Sequence, residues 1–186
     1  MKPTFRVAAM THIPTGELIA RSLRTSQIIH LALVSGVLIF LGIAFLVVRK
    51  GSLAADPWSP SGVLTLTALA YGSAAIVLSV VIPRFARNSA RAALKDGRWT
   101  SPGIPVPADP AERETMGLLM GLQTSLIIRL ALLEGAALLA TIALMIEGKA
   151  LSLVLVLVLL FLMVMQFPTS GSLEQQLETE RALLRD

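Results

Sequence analysis

One acidic residue, Glu134, stands where a charge is hardest to keep. It lies inside the apolar run 126–146 (LIIRLALLEGAALLATIALMI), twelve residues from the run's far end. On a helix that is about 18 Å, at 1.5 Å per residue. This depth is near the middle of a bilayer, where an acidic side chain costs about 2.5–3.5 kcal/mol. Something must offset that cost. Three hydroxyl-bearing residues stand at comparable depth in neighbouring apolar runs: Ser35, Tyr71 and Ser73. A carboxyl ringed by hydroxyls can carry a proton or a small cation, or it can hold helices together. The structural reading is favoured, because a single carboxylate without a second acid or a His partner makes a thin relay.

Other polar residues support less chemistry. Arg129 precedes Glu134 by five residues, an offset that turns the two side chains apart on a helix. Arg129 is therefore expected to snorkel toward the headgroups. His30 is expected as a polar boundary residue. Haem ligation by two His would need a second membrane His, and the other one, His12, falls in the N-terminal segment. No metal or cofactor site is expected. The sequence contains no HExxH, GxSxG or P-loop pattern. Without Cys there is no thiolate chemistry and no disulfide framework. The chain is not expected to be an enzyme.

The elements that position these residues are apolar helices. The 186 residues are 54% hydrophobic and 15% charged, against roughly 25% charged in an average soluble domain. The mean hydropathy is +0.74. This composition excludes a water-soluble enzyme and a disordered chain. Four runs, 27–48, 62–82, 126–146 and 150–167, approach the ~20 residues a membrane helix requires. The expected fold class is all-α: a polytopic membrane protein of four transmembrane helices. The net charge of +4 then implies membrane anchoring, and no nucleic acid partner is expected.

The runs come in two related pairs. Residues 25–36 (TSQIIHLALVSG) and 124–135 (TSLIIRLALLEG) agree at eight of twelve positions. Hydrophobic bias aligns leucines, but it does not align Thr-Ser at one end and Gly at the other. The second and fourth runs also finish alike, at Ile82-Pro83 and Phe167-Pro168. The expected unit is a helical hairpin used twice in the same orientation, related by an axis along the membrane normal. The division is an N-terminal segment 1–26, a first hairpin 27–83, a basic and Pro-rich linker 84–122, a second hairpin 123–168 and a C-terminal helix 169–186.

Lipid supplies no hydrophobic drive between helices, so small residues must let them approach. Three small-xxx-small pairs are candidates: Ala32 with Gly36, Ala131 with Gly135, and Ala68 with Gly72. They place the first and third helices at the centre and the second and fourth outside.

Twelve Lys and Arg fall in the terminal and central segments and three in the two other loops. That bias puts both termini in the cytoplasm of a bacterial inner membrane. Arg84, Arg87 and Arg91 follow the second run directly and are expected to anchor it. Trp58 is expected at the opposite interface. The tail opens with Ser172-x-x-Gln175, a capping-box pattern. Leu173, Leu177 and Leu184 give it one weak apolar face, for docking on a membrane surface or a partner; the alternative is a solvated helix.

The stretch RLALLEGAALLATIALMI resembles the carboxylate-bearing helix of rotary-ATPase proteolipids, in which a mid-membrane Glu carries the ion; only Glu134 matches that position. The chain as a whole resembles small four-helix bacterial inner-membrane proteins with a duplicated hairpin, which implies topology and no activity. The expected task is that of a non-catalytic subunit or assembly factor, homo-oligomeric or within a larger membrane complex. The alternative is a proton- or cation-coupled transport component using Glu134.

Overall fold

The computed structural model describes residues 15–50, 62–97 and 109–185. They form five helices: α1 Thr15–Lys50, α2 Val63–Lys95, α3 Pro110–Glu147, α4 Ala150–Met165 and α5 Ser170–Arg185. No strand occurs among these residues, as expected where apolar backbone must satisfy its own hydrogen bonds. Three of the helices, α1 to α3, are long and apolar enough to cross a membrane; α4 and α5 together make a fourth if counted as one bent span. The chain is an integral membrane protein of three to four spans. Trp58, Trp99 and the Pro-rich part of the linker lie outside the described residues.

The long helices overrun the bilayer. The 38 residues of α3 measure about 57 Å, against a hydrocarbon core of about 30 Å. The excess gathers at one end. There the start of α1 (Leu18, Ile19), the end of α2 (Leu94), the start of α3 (Leu118, Leu119) and α5 (Leu173, Leu177) build a second small core. The C-terminal helix therefore uses its apolar face within the chain. By contrast α4, with 16 residues, spans only about 24 Å, and α5 leaves its axis at 72°.

The centre belongs to α3 alone. It packs against α2 most extensively, and against α1 and α4, whereas α1 and α2 share almost no interface. The pairing of α1 and α3 at the centre is thus half right: α1 is peripheral. The reason lies in α2. Its buried residues are Thr65, Ala68, Gly72, Ala75, Ser79 and Pro83, a stripe of small side chains at three- and four-residue spacing. This stripe meets the fully buried Ala136, Ala137, Ala140 and Ala143 region of α3 in one core. Nearer the excess end, an added Cβ at Gly117 would lie 2.7 Å from Leu94 and one at Gly121 3.3 Å from the Ala90 Cβ. Glycines there let α2 and α3 run close together beyond the apolar zone.

Other expectations change in detail. Ala68 and Gly72 are buried as a packing pair, but Ala32 and Ala131 are exposed. The two Pro sites are not equivalent. Pro83 is buried inside α2, which continues to Lys95, while α4 has already ended at Met165 when Pro168 is reached. Bends at Pro are tolerated in membrane helices because neighbouring groups take up the freed carbonyl. At α5 the cap is Thr169, not Ser172: the Thr169 hydroxyl accepts the Ser172 amide at 3.3 Å.

Candidate functional site

Glu134 projects from α3 toward α1. Its Oε1 lies 3.5 Å from where a Cβ on Gly36 would stand, so the glycine leaves the space the carboxyl enters. One position on, the Tyr71 hydroxyl of α2 lies 3.5 Å from where a Cβ on Gly135 would stand. The glycines of the matched segments thus each face a polar group from another helix. Of the expected four-residue cluster, Glu134 and Tyr71 reach α3's interfaces. Ser35 and Ser73 are exposed, as is much of Tyr71, but only the Tyr71 hydroxyl is placed against α3, beside Gly135. A step of one residue turns a helix by about 100°, so Ser35 turns away where Gly36 faces Glu134, and Ser73 turns out where Gly72 is buried. Among the described residues no hydrogen bond joins Glu134 to any of the other three.

The densest polar constellation is elsewhere, at the α3–α4 turn. Gly62 is the N-cap of α2 and has no side chain to cap with. Glu147, the last residue of α3, supplies the missing acceptor. The Leu64 amide donates to its Oε1 at 2.8 Å, and the Thr65 amide to its Oε2 at 2.9 Å. The Thr65 hydroxyl donates to the same Oε2 at 2.6 Å, and lies 2.9 Å from the buried Ser152 hydroxyl of α4. A Cβ on Gly62 would occupy the place of the Glu147 carboxylate. Gly148, at φ 62°, makes the left-handed step that ends α3, and α4 begins after Lys149. One carboxylate therefore locks three helix ends together. In sequence Glu147 looked like an ordinary charge at the end of a span. The readable signal was Glu-Gly-Lys closing one apolar run, together with an uncapped Gly opening another.

At the opposite end Glu180, buried on α5, accepts from the Arg91 Nε and lies 3.6 Å from the Arg87 guanidinium. Arg181 donates to the Thr115 hydroxyl at 2.8 Å. Arg87 and Arg91 thus dock the tail helix, while Arg84 is exposed. Sequence reasoning missed Glu180 because an acid in a polar tail resembles any solvated charge. Its spacing of three from Leu177 put it on the tail's apolar face.

His30 is buried between the helices, and its ring meets Phe167 edge-on at 5.2 Å between centroids. Nearby, Gln27 donates to the Pro168 carbonyl at 3.2 Å. Arg129 lines a cavity of about 280 Å³ between α1, α3 and the α4–α5 joint. Its Nε is buried without a hydrogen-bond partner. No group of three His, Asp or Glu able to hold a metal ion occurs among the described residues.

Comparison with known proteins returns no matching family model, no matching curated protein and no matching solved structure. Identity therefore rests on architecture: a helical membrane protein whose polar side chains mainly tie helix ends together.

Proposed function

We propose that this chain is a non-catalytic subunit or assembly factor of a membrane complex, residing in a bacterial inner membrane with both termini in the cytoplasm. The observation that carries the reading is the use made of polar groups in the apolar zone. Thr65, Ser152 and Glu147 clamp helix ends, and Ser79 and Thr141 hydrogen-bond to carbonyls of their own helices at 2.8 and 2.7 Å. Groups spent on backbone and on each other do not converge on a substrate. The outward faces of α1, α2 and α4 expose large apolar side chains such as Ile39, Val77 and Phe161, suited to lipid or to helices of other subunits. The matched segments 25–36 and 124–135 support a duplicated hairpin as the origin of the four apolar runs. The charge bias of the loops supports the orientation.

A second reading rests on Glu134 alone, whose carboxyl stands in the glycine window of α1 and matches the ion-carrying position of proteolipid helices. Purification in mild detergent with mass measurement, followed by proton-flux measurement in liposomes, separates the two. The subunit reading expects a mass above the 19.8 kDa of one chain and no flux from wild type. Flux that is lost in Glu134→Gln, with assembly retained, would replace it by the transport reading.

A further inference from the structure

We propose that the cavity at the α4–α5 joint is a binding site for a phosphate group, supplied by the headgroup of an anionic lipid or by a free phosphate anion. The cavity's volume of about 280 Å³ is many times what a single water needs. Its lining contains a cation, Arg129, and no Asp or Glu. Most of the remaining polar lining can donate to an oxyanion, through the hydroxyls of Ser26, Ser125, Thr169 and Ser172 and the amide of Gln123. Gln166 and Gln176 spend their amide N–H on the Leu162 carbonyl and the Ser172 hydroxyl, and the Gln166 Oε1 is a buried acceptor without a partner. Thr169 and Ser172 also mark the N-terminus of α5, a 16-residue helix with no acid in its first turn, so its dipole adds positive potential.

The charge balance points the same way. Arg129 has no carboxylate partner among the described residues, and its buried Nε lacks any acceptor. Glu180, a buried acid at this end of the bundle, is already shared by Arg87 and Arg91. An uncompensated guanidinium in a half-buried cavity is costly, and a phosphate matches its planar donor fork.

Position favours the lipid source. The continuous apolar sequence of α1 begins at Ile28 and that of α3 at Leu126, while α4 ends at Met165. The cavity touches all three of these boundaries, through Ser26, Leu126 and Met165. That is the level at which hydrocarbon gives way to headgroups. The site is independent of whether the chain is a subunit or a transporter.

The test uses the purified full chain in neutral detergent. It is titrated with short-chain phosphatidylglycerol, with a diacylglycerol of the same chain length, and with inorganic phosphate, and binding is read by thermal shift. The expected result is saturable stabilisation by phosphatidylglycerol and none by diacylglycerol. Arg129→Gln weakens binding roughly tenfold or more, the scale of one charged hydrogen bond, and Arg129→Lys keeps part of it. Stabilisation by inorganic phosphate as strong as by phosphatidylglycerol supports the site and identifies the free anion as its ligand. Equal shifts from phosphatidylglycerol and diacylglycerol, with none from phosphate, would overturn the proposal. So would unchanged affinity in Arg129→Gln. If Arg129→Gln does not fold, the wild-type comparison of the three ligands and Arg129→Lys still decides.

Discussion

Thr65 and Glu147 are joined twice through one oxygen: Glu147 Oε2 accepts the Thr65 amide at 2.9 Å and the Thr65 hydroxyl at 2.6 Å. An acid at the end of one helix thus acts as the N-cap of another, 82 residues earlier in the chain. Capping normally depends on the side chain at the N-cap itself. Here that residue is Gly62, and its missing side chain is what admits the carboxylate.

This arrangement predicts a coupling. Glu147→Ala should destabilise the detergent-solubilised protein by roughly 1–2 kcal/mol, the range of a lost cap with charged acceptors. Gly62→Ala should cost a similar amount, because its Cβ displaces the same carboxylate. The double variant should cost little more than either single one. Unfolding midpoints for the three variants test this; additive losses would show that the two positions act separately.

The tail helix gives a second prediction. Glu180→Gln removes the charge that holds Arg87 and Arg91, both of which retain some access to water. Tail docking should weaken by about 1 kcal/mol, a figure already reduced for solvent screening. Leu177→Ala should weaken it further, since Leu177 is buried against Leu118 and Leu119 and truncating a buried Leu costs roughly 2–5 kcal/mol. Faster cleavage in limited proteolysis between α4 and α5 is the expected readout. Unchanged cleavage in both variants would count against the docked tail.

A third prediction concerns the α1–α3 contact. An added Cβ at Gly36 would stand 3.5 Å from Glu134 Oε1, an ordinary contact distance. Gly36→Ala should therefore be tolerated. Gly36→Leu needs space that the Glu134 carboxyl occupies, and should cost roughly 1–3 kcal/mol by overpacking. Ser35→Ala and Ser73→Ala, at exposed positions, should change stability by less than about 0.5 kcal/mol. Thermal unfolding of the four variants checks the order, and a large loss in Ser35→Ala would restore the expected polar cluster.

The residues show what a sequence makes legible here. Apolar runs announce their helices because lipid leaves the backbone no other partner. Glu134 was visible as an anomaly because its cost is local and calculable. What it faces was not visible, because depth along a helix is readable from residue count while rotation about the axis depends on the neighbour chosen. Ser35 and Gly36 share a depth and differ in face. The small stripe from Thr65 to Pro83 was readable by period, yet only its Ala68–Gly72 step was singled out, and so α3's main partner was missed. Glu147 and Glu180 acquire their roles from residues 82 and 89 positions away, so the local signals place each at a helix end or on a face without naming its partner.

The central claim is a lipid-embedded bundle built around α3. Because the chain has no Cys, single-cysteine variants can carry spin labels without background. Labels at Ile39, Val77 and Phe161, which are exposed, and at Ala137 and Met163, which are fully buried, are compared in liposomes for collision with dissolved oxygen and with a water-soluble nickel complex. The predicted result is high oxygen and low nickel accessibility at the first three sites and low accessibility to both at the last two. High nickel accessibility at Ile39, Val77 and Phe161 would place those faces in water and contradict the account.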